Sequence, residues 1–329
     1  MNQKLRKEYW GWKISDKQNQ LAKNFDAKKA YEFRNILERW NLSRENFGIK
    51  IALEKMINEI FEKELVETFD EIGILAKKVA EIYVEQIFTT PKIIISKAIV
   101  SNDGTIKYDN YERRVSPNRV KLLRKAFNKY GKGNFEQETC LMSMRYSRMV
   151  PGSQQWNLPK AVYEVLVKNY GVEIEGFASP FNSQMMEYGG KFCSLFFDVD
   201  QNFGSAGDFF ECSLVGKKSV INPPYIIDIL NDVVEEVIGE CQKAQNKSVE
   251  TIMFITVADW TDADFYQKLD SSQFLIDKLT MEPLRHYYEN SNDNDRKIIS
   301  KFRSSMFILG TGVTKKYNFQ NIKKVWSDS

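Results

Sequence analysis

From about Glu173 onward, short β-rich runs alternate with helical ones, and this alternation constrains the fold more than any other feature of the chain. The segments "VEIEGFA" (172–178), "KFCSLFF" (191–197) and "KSVI" (218–221) read as strands. "YIIDILNDVVEEVIGECQKAQ" (225–245) has the apolar spacing of an amphipathic helix. "ETIMFITVA" (250–258) is continuously apolar and reads as a buried strand, and "SQFLIDKLTM" and "SSMFILG" read as later strands. Strands alternating with helices imply a mostly parallel α/β sheet. Ligands of such sheets bind beyond the carboxyl ends of the strands, beside a switch in strand order. Three motifs stand at such ends: "ASPFN" after the first strand, "DVDQNFGS" after the second and "NPPY" after the third.

The first 100 residues have a different texture. The run from Ser43 to Phe88 contains no proline, and its apolar residues recur at three- and four-residue spacing, as in Ile51, Leu53, Ile57, Ile60, Phe61 and Leu65. The expectation is an all-helical domain over residues 1–140, followed by an α/β domain over 141–329. A chain of 329 residues is long enough for two such domains. No run of about 18 apolar residues is present, so no transmembrane helix is expected. The charged start "MNQKLRKEYWGWK" lacks the apolar region of a secretory signal. Cys140, Cys193, Cys212 and Cys241 are widely spaced with no CxxC pair, which argues against a zinc ribbon or disulfide scaffold and for a reducing, intracellular compartment. His286 is the one histidine and reads as a surface or packing residue. A histidine triad or multi-histidine metal centre is therefore not expected, and the site is predicted without a metal.

The tetrapeptide Asn222-Pro223-Pro224-Tyr225 ends a strand, because proline cannot donate to the ladder, and it holds the following atoms rigid. One reading is a plain strand-end turn. The other is catalytic. An exocyclic or amide nitrogen is a poor nucleophile because its lone pair is delocalised. A site that accepts hydrogen bonds from both of its N–H groups draws it toward tetrahedral geometry. The side-chain oxygen of Asn222 and a proline carbonyl are such acceptors, and the ring of Tyr225 offers a face for a substrate ring to stack on. This is catalysis by position and electrostatics. The tetrapeptide resembles the catalytic motif of S-adenosylmethionine-dependent amino-methyltransferases. A donor of that kind needs a tight turn after the first strand, offered by Ala178, Ser179, Pro180 and Asn182. It also needs an acid after the second strand for its ribose, Asp198 or Asp200, followed by Phe203 and Gly204.

"RYS", "FASPFN", "FCSLFFDVDQNFGSAGDFF" and "NPPY", in this order and spacing, resemble the cap-specific adenosine N6-methyltransferases, also called phosphorylated-CTD-interacting factors. Animal members look like "FASPLN", then a "DTDGYFGSRG"-like run, then "NPPF". The resemblance covers roughly Arg145 to Gly310. It implies a helical domain packed on a Rossmann-like class I methyltransferase sheet, S-adenosylmethionine as methyl donor, and transfer to N6 of the first transcribed adenosine beside an mRNA cap. It carries Asn222, Pro223, Pro224 and Tyr225 into the catalytic role. Tyr225 stands where the animal members have phenylalanine. Ile227 stands where they have a glutamate thought to help hold the substrate, which bears on cap recognition. No WW module is expected before the helical region, and no binding to the polymerase tail. The alternatives are an internal RNA or DNA adenine methyltransferase, and a catalytically silent cap- or RNA-binding subunit.

Charge distribution points independently to RNA. Between Lys107 and Arg148 eleven basic residues face four acids, a net +7 in a chain whose total is +3. Arg113, Arg114, Arg119, Arg124, Arg145 and Arg148 are the candidate phosphate contacts, interleaved with Tyr108, Tyr111, Phe127, Tyr130 and Tyr146. A solvated helix face is the other reading of this stretch. Trp156, in the polar segment "RMVPGSQQWNLP", is a candidate to stack on a base or cap, or to anchor the domain junction.

Overall fold

The computed structural model describes residues 97–147, 156–290, 296–312 and 319–327, together with Leu5, Glu8, Tyr9, Trp12 and Asp16. The helical run expected over 43–88, and Arg148 with the polar stretch to 155, lie outside the described residues. The elements in chain order are strands β1 (Ile99–Val100), β2 (Thr105–Tyr108) and β3 (Tyr111–Arg114), then helices α1 (Pro117–Tyr130) and α2 (Phe135–Ser147). Next come β4 (Trp156–Asn157), α3 (Lys160–Tyr170), β5 (Ile174–Glu175), β6 (Lys191–Phe192), α4 (Phe197–Asp200), β7 (Lys218–Ile221) and α5 (Ile227–Asn246). The chain continues through β8 (Thr251–Ala258), α6 (Asp264–Asp270), β9 (Leu275–Met281), β10 (Tyr287–Asn290), β11 (Arg296–Ile299), β12 (Ser304–Thr311) and α7 (Gln320–Trp326).

The chain divides into two compact units. One comprises Met1–Arg114 with Gly133–Gly152, the other Val115–Lys132 with Ser153–Ser329. In the first, β1, β2 and β3 form an antiparallel meander. The N-terminal region is therefore not all helical. Turn residues Asn102-Asp103-Gly104 and Asp109-Asn110 bracket a strand whose buried Ile106 and Tyr108 alternate with exposed Lys107, a hairpin pattern that outweighs the helical texture upstream. Helix α2 is tied to this meander. The Tyr111 hydroxyl meets the hydroxyls of Ser143 at 2.5 Å and Ser147 at 2.8 Å, and the Cys140 thiol donates to the carbonyl of Lys107.

The second unit is built on a six-stranded, mostly parallel, Rossmann-like sheet in the order β6-β5-β7-β8-β12-β9. β6, β5, β7 and β8 run parallel, and β12 is antiparallel to both its neighbours. Both faces are buried, and the period-two geometry of a strand sorts the side chains. Met253, Ile255 and Val257 of β8 join Phe307 and Leu309 of β12 in one core, under Val233, Val234, Val237 and Cys241 of α5 and Phe265 of α6. Ile252 and Phe254 join Met306 and Ile308 in the other, under Val162, Tyr163 and Leu166 of α3 and Ile322 and Trp326 of α7. Double-faced burial explains why these strands read as continuous apolar runs. The first two strands are shorter than their apolar runs. β5 pairs only through Ile174–Glu175, and Phe197 already begins α4. No helix among the described residues is long and apolar enough to cross a membrane.

Candidate active site

The chain passes from β5 to β6 on one side, then returns to β7 on the other side of β5. The direction of strand addition reverses there, so the carboxyl ends of β5 and β7 open a crevice that no crossover covers. The turn after β5, the loop after β6 and the corner after β7 are consequently neighbours at one edge of the sheet. Gly176 makes the close approach possible. A Cβ at this position would lie 3.0 Å from the Phe209 ring and 3.1 Å from Ile221.

At the end of β7, Asn222 is half-buried and its amide Nδ2 donates to the backbone carbonyl of Trp156 at 3.2 Å. A carbonyl can only accept, so this contact sets the amide's orientation and leaves Oδ1 as the acceptor. Pro223 is buried, and the Pro224 carbonyl accepts from the Ile226 N–H at 2.8 Å, closing the bend that leads into α5. The Tyr225 ring meets Phe302 edge-on at 5.8 Å, and its hydroxyl lies 2.9 Å from that of Tyr288. Burial, followed by the neighbouring Tyr288, holds the Tyr225 hydroxyl well above its ordinary pKa, so it stays protonated.

The turn after β5 is locked from within. Asn182 Oδ1 accepts from the Ser179 N–H at 2.6 Å and from the Ser179 hydroxyl at 3.0 Å. Both side chains are buried, and these bonds shape the turn. Pro180 is buried beside them, while Ala178 is half-buried. Glu175, fully buried, fastens the same segment. It accepts from the hydroxyls of Tyr163 and Ser183 and from the backbone N–H of Gln184 at 3.1 Å. Burial pushes its carboxyl pKa up, against the lowering effect of those donors. Asn157 Nδ2 donates to the Asn182 carbonyl at 2.6 Å. The dipeptide Trp156-Asn157 is thus a strut, with the Trp156 carbonyl holding Asn222 and the Asn157 amide holding the turn.

After β6 the two acids part company: Asp198 is exposed at the start of α4 and Asp200 is wholly buried. Phe203, expected beside a cofactor, is also wholly buried, packed 5.7 Å from Phe127 of α1. Gly204 follows with φ +97°, a conformation that favours glycine, and a Cβ would press on the Tyr130 ring at 3.0 Å.

The expected arginine contacts are divided between the two units. Arg113, Arg114 and Arg145 belong to the first unit, and Arg119, Arg124 and Trp156 to the second. Arg119 is buried, and its guanidinium donates to the Ser183 carbonyl at 2.8 Å, clamping the turn after β5; it does not face solvent as a phosphate contact must. Arg145 is paired with Glu8 in a largely buried ion pair. Arg113 and Arg124 are half-buried, and Arg114 is exposed near Glu112. The open cations of α1 are lysines instead: Lys121, Lys125 and Lys129 are exposed at four-residue spacing, with Lys132 just beyond. Trp156 is half-buried and stacks on Tyr288 at 6.1 Å. Among the described residues no cluster of three or more histidine, cysteine, aspartate or glutamate side chains is placed to hold a metal.

Two comparisons bear on this arrangement. The chain is 27% identical over 143 residues to the "mRNA (2'-O-methyladenosine-N(6)-)-methyltransferase" of Mus musculus, a match covering 43% of this chain and 19% of that protein. The Homo sapiens protein of the same name matches to the same extent. The chain thus aligns with only about a fifth of the length of these relatives. The family described as the phosphorylated CTD interacting factor 1 WW domain matches residues 121–291, more than half of the 329 residues and all of the candidate site after α1. By that match, the chain belongs to the phosphorylated CTD interacting factor 1 WW domain family.

Proposed function

We propose that this chain is an S-adenosylmethionine-dependent RNA methyltransferase acting on N6 of adenosine, with the first transcribed adenosine beside the mRNA cap as its substrate. The observation that carries the reading is the corner after β7. Asn222 stands at the switch point of the sheet with its amide oriented by the Trp156 carbonyl, so that Oδ1 faces outward from that bond as an acceptor. The names of the mouse and human relatives support the same class of reaction.

The donor set fits the cofactor: an exposed carboxylate at the end of β6 and a rigid turn at the end of β5. Asp198 is the acid for the ribose hydroxyls, since Asp200 is sealed in the core. When bound, S-adenosylmethionine supplies an electrophilic methyl group. Asn222 Oδ1 and the Pro223 carbonyl accept from the two N6 hydrogens and localise the lone pair on the nitrogen. Tyr225 orients the adenine by stacking. The rigid Pro-Pro backbone keeps these acceptors fixed, so little reorganisation accompanies the reaction. Substrate phosphates track the lysine stripe Lys121, Lys125 and Lys129, which takes the role that sequence alone assigned to the arginines. Ile227, exposed at the start of α5 where animal members carry a glutamate, favours a second reading in which the adenosine is internal to the RNA.

Methyl transfer to matched RNAs beginning with capped A, uncapped A or capped G tests the proposal. Transfer to capped A alone is expected. Equal transfer to all three, the capped G included, moves the substrate to internal adenosine, and transfer to none of them removes the RNA-methyltransferase reading.

A further inference from the structure

Behind the catalytic corner, four side chains form a hydrogen-bonded row. The Tyr225 hydroxyl lies 2.9 Å from that of Tyr288, which donates to Ser304 Oγ at 2.7 Å. Ser304 Oγ lies 2.8 Å from His286 Nε2, and His286 Nδ1 lies 2.9 Å from the Glu282 carbonyl. Tyr288, Ser304 and His286 are buried, and the row joins β7's corner to β10 and β12.

The polarity of the row follows from its last member. A backbone carbonyl only accepts, so His286 Nδ1 carries the proton. Burial lowers the His286 pKa, which keeps the imidazole neutral and leaves Nε2 a bare acceptor. Ser304 must then donate to Nε2 and accept from Tyr288. With its one proton committed to Ser304, Tyr288 accepts from Tyr225. Every hydroxyl proton points the same way, from the corner toward His286. Tyr225 is left with a hydroxyl whose proton is occupied and whose ring is held at its far end.

We infer that His286, acting through Ser304 and Tyr288, is a positioning residue that fixes the ring of Tyr225 for stacking on the substrate base. The inference rests on the adenosine-methyltransferase reading above for the reaction it serves, but the row itself does not. A ring held only by packing can swing about its Cα–Cβ bond; a hydroxyl at the far end of the ring's long axis, tethered to a fixed partner, limits that swing. A phenylalanine at this position would have no hydroxyl to tether, so the device belongs to chains that combine Tyr225 with the buried row. His286 is thereby more than a packing residue.

Two measurements test this. His286 is the only histidine, so protein labelled with 15N-histidine reports a single imidazole. The expected spectrum at neutral pH shows Nδ1 protonated and Nε2 bare, with the Nε2 signal moving in Ser304→Ala and in Tyr225→Phe. A proton on Nε2, or an Nε2 signal indifferent to both substitutions, overturns the row. The second measurement is single-turnover methyl transfer to a capped, A-initiated RNA by His286→Leu and His286→Gln, each made with Tyr225 intact and with Tyr225→Phe. With Tyr225 intact, His286→Leu should lower the transfer rate about two- to tenfold, the loss one anchoring hydrogen bond typically carries, and His286→Gln, which keeps an acceptor toward Ser304, should restore most of it. With Tyr225→Phe the same substitutions should change nothing further. An equal loss in both backgrounds shows a merely structural histidine and overturns the positioning role, as does no loss in either. Absence of transfer by the unaltered protein removes the reaction and the role with it, even where the tautomer is as expected. An Nε2-protonated tautomer with transfer intact removes only the row.

Discussion

Replacing Asn222 with alanine separates what this residue does for the fold from what it does for the reaction. In the fold it makes one neutral hydrogen bond, from Nδ2 to the Trp156 carbonyl at 3.2 Å, in a half-buried setting. A bond of that kind contributes about 0.5–1.5 kcal/mol, and water can reach the carbonyl it leaves behind, so Asn222→Ala should cost about 1 kcal/mol of stability. The prolines and the bend remain. In the proposed reaction the lost Oδ1 matters most as the nitrogen becomes tetrahedral, so the transfer step should suffer far more than RNA affinity. By analogy with the loss of one preorganised polar contact in an oxyanion site, the expected loss is about 100- to 1,000-fold in rate, or about 3–4 kcal/mol. Asn222→Asp sharpens the comparison. It keeps an acceptor but sets a carboxylate oxygen against the Trp156 carbonyl, so it should destabilise the corner more than alanine does. The assay is single-turnover transfer of labelled methyl to a capped, A-initiated RNA, with RNA affinity and thermal unfolding measured separately. A folded Asn222→Ala protein that transfers methyl within about threefold of the unaltered protein, a gap under about 0.7 kcal/mol, refutes the mechanism and returns the tetrapeptide to the status of a turn.

Four further outcomes are expected. Glu175→Ala should lower stability by at least about 3 kcal/mol, because the hydroxyls of Tyr163 and Ser183 and the Gln184 N–H lose a buried acceptor together; a denaturation midpoint close to that of the unaltered protein would show that the turn after β5 does not depend on it. S-adenosylhomocysteine should raise the melting temperature by mass action, and Asp198→Ala should remove most of that rise; a full rise in the variant places the ribose contact elsewhere. Changing Lys121, Lys125 and Lys129 together to glutamine should weaken RNA binding and reduce its salt dependence by about three charges, and an unchanged slope marks the stripe as a solvated helix face. Cys212 should be the first thiol alkylated near neutral pH, since it is half-buried and hydrogen bonding from Cys193 lowers its pKa to about 7, whereas burial pushes Cys140 and Cys241 up to about 12. Its alkylation rate should climb as pH rises through about 7 and then level as the thiolate saturates, and peptide mapping that finds Cys140 or Cys241 modified first contradicts the assignment.

The sequence by itself determined the layered α/β architecture, the extents of β7, β8 and β12 to within a residue or so, and the standing of three motifs after strands. Each of these is written in short-range signals: continuous apolar runs where both faces of a strand are buried, helical spacing in α5, and prolines that end a strand. The order β6-β5-β7, which makes these strand ends neighbours, came from the tertiary structure. Tertiary structure decided the rest. That Arg119 serves the turn after β5, 64 residues away, was invisible in a basic stretch where every arginine looks alike. Asp198 and Asp200 are two residues apart and chemically equivalent until the short helix α4 turns one outward and seals the other in the core. The strut Trp156-Asn157 reaches Asn222 across 66 positions and Asn182 across 25, and the row from Tyr225 to His286 joins three separate elements. Hydrogen bonds of this kind leave no periodic trace, because a buried polar group takes whichever partner the packed sheet places within reach, and sequence distance has no part in that choice.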